Sequence, residues 1–457
     1  MHGRSLLQPG PLLRRPGTFL LQAGLRAAGA DRHDEAMSQA AELLTPTGDE
    51  LLRRLAGLDI TPDLALRLAT ELRGQYPAGL IAAALTQQSL RAAAQEKFSR
   101  AADMYFTRAG LEQASGELAA AHSAGRFAGH ALVADLCCGI GGDLTALASV
   151  AGQVLAVDAD LDTLVFALRN VAVNVASGRV TGVCADVRQL RLAGIEAAFI
   201  DPARRAGGRR LRTGDSDPPL DWCLNLIHRV PRVCVKAAPG LPHEVVPEGW
   251  EAEFVAVGRA LKEALLWSPA FATTPRRATV LAPGNAMSAG AVDDAAESPT
   301  EPARRAAPGL PVTKSTTLVA GNVPAAPLSD PGEYLLDPNP AVTRAGLVAE
   351  LARDLSAWQI DPMIAFLSTD RPVSTPFART LRIVESMPWH EREVAKKLRG
   401  LGVGSADIRR RGLAGDVQQI HRRLALRGDK SATIVLTRRN GRPWGLICEP
   451  VPRSATG

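Results

Sequence analysis

The run Asp135-Leu136-Cys137-Cys138-Gly139-Ile140-Gly141-Gly142-Asp143 is the most informative segment of this chain. An apolar segment, Ala131 to Ala134, precedes it, and the helix-forming run Leu144-Thr145-Ala146-Leu147-Ala148 follows. The order strand, glycine turn, helix is the opening unit of a doubly wound α/β sheet. Glycines at 139 and 141 permit positive φ and a close approach of backbone to ligand, which a Cβ obstructs. A dinucleotide fingerprint asks for a third glycine where Leu144 stands, and Asp143 adds negative charge where a pyrophosphate is best served by neutral or basic groups. The turn therefore suits a nucleoside-like ligand without a pyrophosphate.

Further strands follow in register. Gln153 to Val157 ends in Asp158, which is placed to accept from two ribose hydroxyls; Val180 to Cys184 ends in Ala185-Asp186; Glu196 to Ile200 ends in Asp201-Pro202-Ala203-Arg204. Any one such aspartate reads equally well as a cap for the next helix or turn. Three in succession behind a glycine turn point to the carboxyl edge of an open sheet, where ligands bind. Arg232 to Val235, Glu253 to Val257, Ala264 to Trp267 and Thr279 to Leu281 read as the remaining strands. Lys236, just past the first of these, reads as a surface lysine.

The motifs DLCCGIGGD, AVDAD at 156–160, CAD at 184–186 and IDPAR at 200–204 resemble those of class I S-adenosylmethionine-dependent methyltransferases. Within that class, the glycine turn and Asp-Pro step are similar to the trimethylguanosine synthase branch. From about residue 40 to the end, the chain resembles bacterial methyltransferases with a C-terminal THUMP-like domain. The resemblance implies a Rossmann-like α/β core of seven strands, a helical N-terminal domain and a small C-terminal α+β domain. It also implies S-adenosyl-L-methionine as cofactor, with Asp135, Cys137, Gly139 and Gly141 around its methionine end, Asp158 on the ribose and Asp186 on the adenine amino group. Asp201, Pro202 and Arg204 would face the acceptor. Amino-directed members usually follow Asp/Asn-Pro-Pro with an aromatic ring. Here Ala203 and Arg204 take the places of the second proline and the ring, and an arginine plane is the remaining candidate for stacking on a base. Asp217-Pro218-Pro219-Leu220 lacks the aromatic too and reads as the opening of a helix through Trp222.

A length of 457 residues predicts two or three domains. Net charge is +6, and residues 390–457 hold fifteen Lys and Arg against six Asp and Glu, a local +9 that leaves −3 for the rest. Lys396 and Lys397 fall on one expected helix, Arg409, Arg410 and Arg411 at a strand end, and Arg422 and Arg423 on a second helix. Such clustering suits a phosphate backbone and makes RNA the expected partner. Only Trp444 is aromatic there, with Trp389 just before it, so shape and charge readout is favoured over stacking. The pattern runs strand 380–386, helix 391–401, strand 403–409, helix 416–426, strand 432–437, turn 440–443, strand 444–448, all within a basic THUMP-like domain over 332–457. A Pro/Ala-rich linker is expected over 284–331 and the methyltransferase core over 129–283.

Residues 37–128 read as helical, with helices over 50–58, 62–72 and 78–94. The aromatic-rich segment from Lys97-Phe98 to Tyr105-Phe106-Thr107 reads as packing of this helical domain on the core rather than as a lid. Residues 1–36 read as a disordered extension with no signal-like apolar core, and Met37 is an alternative start. No run of eighteen apolar residues exists, which excludes a membrane span. Six cysteines without Cys-x-x-Cys spacing and without paired histidines indicate neither a disulfide framework nor a metal site, and they fit the cytoplasm. Cys137 and Cys138 read as small packing residues rather than nucleophiles. Three functions stay open at this stage: methyl transfer to RNA, with a nucleobase nitrogen favoured; methyl transfer to a small molecule or protein; and RNA binding by a non-catalytic methyltransferase-like core.

Overall fold

The computed structural model describes residues 39–175, 178–203, 205–206, 209–210, 216–283, 313–413 and 416–451. The expected extension at 1–36, most of the expected linker and Arg204 lie outside the described residues. The chain forms two units, one holding the described residues up to Ala203 with Asp217–Pro231, the other Arg232 to 283 with 313 to 451.

The first unit starts with helices whose ends are written in the sequence. Pro46–Leu55 and Pro62–Leu72 each begin with proline, and the hydroxyls of Thr45 and Thr61 accept from Gly48 and Leu64 N–H. With Ala78–Ala94 they bury Leu51, Leu55, Leu72, Ile81 and Ala84 in one cluster, which also takes in Tyr105 and Phe166. The sheet of this unit has strands β1 Leu132–Leu136, β2 Gln153–Asp158, β3 Val180–Cys184 and β4 Ala197–Ile200, all parallel, in the order β4-β1-β2-β3. Strands β1 and β4 are almost wholly buried, as expected for parallel strands covered on both faces. Helix Gly142–Val150 follows β1, and Leu161–Asn174, capped by the Asp160 carboxylate, follows β2.

The aromatic segment packs, as its residues suggested. Phe98, Met104, Tyr105 and Phe106 are buried. Gln87 accepts the Phe106 N–H at 3.2 Å, and Arg91 donates to the Met104 carbonyl at 2.9 Å and lies over the Tyr105 ring. A segment pinned at three consecutive residues is scaffold, not lid.

The second unit contains β5 Arg232–Ala237, β6 Glu251–Val257, β7 Ala260–Trp267, β8 Arg276–Pro283 and β9 Thr313–Val319, in the order β5-β7-β6-β8-β9. Strand β8 contains the expected Thr279 to Leu281, and β9 is the strand the sequence reading did not include. β9 lies inside the segment read as a linker, where it pairs antiparallel with β8. Its Thr- and Ser-rich sequence carries little apolar signal because only Leu318 is buried. Lys236 is not on the surface: it is 5% exposed within β5, with Nζ 3.8 Å from Glu263.

The same unit holds a seven-stranded sheet, order β11-β12-β10-β13-β16-β15-β14, made of β10 Tyr334–Pro338, β11 Trp358–Gln359, β12 Leu367–Thr369, β13 Ala378–Pro388, β14 Val403–Arg410, β15 Lys430–Arg439 and β16 Arg442–Pro450. Helices Glu391–Gly400 and Val417–Leu424 cover one face, burying Val394, Leu398, Ile420 and Leu424 against Ile434 and Ile447. On the other, Ile360, Ile364 and Phe366 pack on Leu381, Val435 and Leu446. Strands β15 and β16 are joined by Asn440-Gly441, both at positive φ, the geometry of a two-residue hairpin turn.

One carboxylate ties this sheet to the β6–β7 turn. Asp337, 3% exposed, accepts from Arg259 at 2.9 Å, Arg409 at 2.9 Å and Arg411 at 3.1 Å. Asn339 donates to the Gly258 carbonyl at 2.8 Å beside it. Asp337→Ala leaves three guanidiniums facing one another, each about a third exposed, so solvent screening trims the cost of an unpaired buried charge to about 2 kcal/mol. Differential scanning calorimetry of the full chain is expected to show melting roughly 5 °C lower. An unchanged melting curve would remove this junction from the account of stability.

Candidate active site

The carboxyl ends of β4, β1, β2 and β3 are laced together by backbone hydrogen bonds. Asp201 N–H donates to Leu136 O at 3.2 Å, Cys138 N–H to Val157 O at 2.9 Å and Ala185 N–H to Asp158 O at 3.0 Å. Asp135, Asp158, Asp186 and Asp201 thereby stand at one edge, with Pro202 next to Asp201. Asp135, one residue inside the end of β1, is 1% exposed, whereas Asp158 and Asp201 are half-buried.

The glycine turn runs through positive φ at Cys137 (64°), Gly139 (54°) and Gly141 (87°). Gly139 and Gly141 answer different demands. A Cβ on Gly141 would stand 3.1 Å from Ala167 Cα and 3.2 Å from its Cβ and O, so this glycine lets the turn press onto helix Leu161–Asn174. A Cβ on Gly139 would meet no atom within 4 Å, so there the bare backbone fronts open space. Gly139 N–H donates to Asp158 Oδ2 at 2.9 Å and Asp160 N–H to Oδ1 at 3.0 Å. These amides fix the carboxylate's orientation. Burial nonetheless raises the Asp158 pKa above the ordinary carboxylate value, and the amides of Asp160 and Gly139 act against that rise.

Asn170 was not singled out from the sequence. Fully buried on helix Leu161–Asn174, it donates to Ile140 O at 2.9 Å and Tyr105 O at 2.8 Å, and accepts the Tyr105 N–H at 2.7 Å. It clamps the glycine turn to the pinned aromatic segment. The available signal was an amide, with Asn174 one turn further on, in a largely apolar helix.

Asp186 faces a partner that sequence reasoning also missed. Its Oδ1 accepts from the Arg188 backbone N–H and Nε, both at 2.9 Å, and its Oδ2 from the Arg188 terminal nitrogen at 2.8 Å. These hydrogen bonds to the guanidinium hold the Asp186 pKa below the usual carboxylate value. Arg188 also reaches Asp217 at 3.1 Å, and the Asp217 backbone pairs in both directions with Ala203 at 2.9 Å. Asp217 thus touches the end of the Asp201-Pro202 step. Pro219 precedes the short helix Leu220–Leu224, as the sequence suggested.

Both thiols of the turn are poor nucleophiles. Burial raises the pKa of Cys137 and of Cys138, and nearby aspartates push further in the same direction. Alkylation of the native protein by iodoacetamide near neutral pH is expected to be at least roughly tenfold slower at Cys137 and Cys138 than at a free cysteine. Peptide mapping by mass spectrometry reads this out. Labelling of either at the free-thiol rate would reopen the nucleophile reading.

Comparison with known proteins gives this geometry a family. Residues 130–211 match the model described as RNA cap guanine-N2 methyltransferase, residues 378–450 match a THUMP domain-like model, and residues 36–94 match a domain of unknown function. Two proteins of Mycobacterium tuberculosis, from strains CDC 1551 and H37Rv and both described as uncharacterized S-adenosylmethionine-dependent methyltransferases, are 34% identical over 340 residues, covering 73% of this chain and 84% of theirs. A solved structure from Porphyromonas gingivalis W83, entitled as a methyltransferase, superposes with a TM-score of 0.63 at 18% identity, over 87% of this chain and all of that one. The chain belongs to the S-adenosylmethionine-dependent methyltransferases. It is an enzyme of methyl transfer with S-adenosylmethionine as cofactor. The residues present fit that molecule: a side-chain-free backbone at Gly139 beside open space, and an oriented acceptor carboxylate at Asp158.

The basic residues expected to meet RNA divide into two sets. Arg409 and Arg411 are spent on Asp337, and Arg409 also donates to Asp407 at 2.9 Å. Lys397 pairs with Glu385 at 2.8 Å and Arg423 with Glu391 at 3.4 Å. Lys396, Arg392 and Arg399 are exposed on one helix, Arg422, whose Nε donates to Gln418 O at 3.4 Å, is exposed on the other, and Arg410 is exposed at the end of β14. Among the described residues, no group of three or more His, Cys, Asp or Glu is arranged to hold a metal ion, and no helix is long and apolar enough to cross a membrane.

Proposed function

We propose that this methyltransferase acts on RNA, with a nucleobase nitrogen as the favoured acceptor. What carries the reading is one chain that joins a core similar to RNA cap guanine-N2 methyltransferases to a THUMP domain-like sheet whose helices turn Arg392, Lys396, Arg399 and Arg422 outward. Phosphate neutralisation by such a face supplies affinity without sequence preference. Arg409 and Arg411 contribute less than their number suggests because Asp337 already engages them.

In this reading Asp135, Cys137, Gly139 and Gly141 border the methionine end of the donor, Asp158 accepts from the ribose hydroxyls and Asp186 from the adenine amino group. The bound donor supplies an activated methyl on a sulfonium. What the protein must add is alignment of acceptor, methyl and sulfur and exclusion of water. Asp201 accepts a hydrogen bond from the acceptor amine, orients its lone pair and takes its proton as the new bond forms, while Pro202 stiffens the loop that carries it. Arg204 offers a planar cation next to that loop in sequence. The six free cysteines suit a reducing, cytoplasmic setting.

The test is mass spectrometry of nucleosides from total RNA of a deletion strain and its parent. A methylated nucleoside absent from the deletion strain and restored by the wild-type gene supports the reading. An unchanged profile sinks it and moves weight to a small-molecule or protein acceptor.

A further inference from the structure

We propose that Arg188 is a positioning residue that couples the donor pocket to the acceptor loop, its guanidinium competing with the donor's adenine for Asp186 while it holds Asp217. The inference rests on the proposed reading of Asp186 as the adenine partner, and it concerns a residue to which that reading gives no role.

The argument starts from acceptor capacity. A carboxylate offers about four lone-pair directions. Three N–H groups of Arg188 crowd Asp186: the backbone N–H on Oδ1 at 2.9 Å, Nε shared between Oδ1 at 2.9 Å and Oδ2 at 3.0 Å, and a terminal nitrogen on Oδ2 at 2.8 Å. Both oxygens are engaged by the guanidinium, so an amino group arriving at Asp186 competes with this fork for them. The fork yields easily, because both side chains are partly exposed, 45% for Arg188 and 31% for Asp186, and such pairs are weak and screened by salt.

The second half of the argument is where Arg188 leads. Its other terminal nitrogen lies 3.1 Å from Asp217 Oδ1. Asp217 is bonded through its backbone, N–H to O and O to N–H at 2.9 Å each, to Ala203, two residues past Asp201. A single guanidinium therefore spans from the donor edge at β3 to the strand-like bridge that fixes the Asp201-Pro202-Ala203 step. When adenine takes Asp186, the guanidinium is left to Asp217 alone. Asp217 then loses its tie through Arg188 to the end of β3.

The test needs no acceptor. S-adenosylhomocysteine is titrated by isothermal calorimetry into the full-length wild-type protein and into Arg188→Ala, Arg188→Lys and Asp186→Ala, at low and at high salt. Amide hydrogen exchange is followed across peptides spanning 197–203 and 216–226. Arg188→Ala removes the competitor, so binding is expected to tighten roughly two- to fivefold, the range open to a partly exposed ion pair. Added salt should tighten the wild type toward the variant and leave Arg188→Ala unmoved, and Arg188→Lys should fall between. Exchange at Ala203 and Asp217 should rise in Arg188→Ala, and in the wild type on adding S-adenosylhomocysteine. A merely structural arginine predicts weaker binding on removal. If Asp186→Ala weakens binding while Arg188→Ala leaves it unchanged or weaker, the coupling is overturned and the donor reading stands. Unchanged binding in Asp186→Ala overturns both.

Discussion

Replacing Asp158 with Ala is expected to weaken binding of S-adenosylmethionine by roughly one to two orders of magnitude, the worth of charge-assisted hydrogen bonds to a bound ligand. The carboxylate is held by Gly139 N–H on one oxygen and Asp160 N–H on the other, so it arrives oriented. Its loss also frees the Gly139 amide and slackens the glycine turn. Asp158→Asn keeps the shape but not the charge and should fall between. Because burial raises the Asp158 pKa, donor binding in the wild type should fade on acidification at a higher pH than an ordinary carboxylate would dictate. The sign follows from the proposed role: an ionised Asp158 would accept from the ribose, and protonation would remove that acceptor. Calorimetric titration measures both effects. Full donor affinity in Asp158→Ala would remove Asp158 from the donor site.

Asp201→Ala is expected to leave donor binding intact and to lower methyl transfer by roughly a hundredfold or more, the usual worth of a group that positions the acceptor and takes its proton. The backbone of Asp201 is tied to Leu136 at 3.2 Å, so removing the side chain spares the edge of the sheet. The prediction separates the two halves of the site. A variant that loses donor binding and turnover together would mean that Asp201 supports the fold of the pocket rather than the reaction.

Where single segments carried their own signal, reading them was enough. Strand Val180–Cys184 and helices Pro62–Leu72 and Ala78–Ala94 have the bounds their patterns predict, because caps, prolines and apolar spacing are all local. The glycine turn and the aspartates at 158, 186 and 201 were visible because strand ends in a parallel sheet share one edge. What escaped was what depends on residues distant in sequence. Arg409 reads as a free cation until Asp337, 72 residues earlier, is found against it. Asn170 gains meaning only from Ile140 and Tyr105, 30 and 65 residues away. Strand Thr313–Val319 escaped because an edge strand with one paired side needs little apolar sequence. Lys236 was misjudged as exposed because its partner Glu263 lies on a neighbouring antiparallel strand, not nearby in the chain.

The central claim is that this site transfers methyl groups to RNA. The most direct measurement incubates wild-type protein and Asp201→Ala with methyl-tritiated S-adenosylmethionine and total RNA from a deletion strain, then resolves the RNA into nucleosides. The account predicts label in one methylated nucleoside with the wild type and none above background with Asp201→Ala. Donor bound by the wild type with no label entering RNA, or label of equal size with Asp201→Ala, would contradict it.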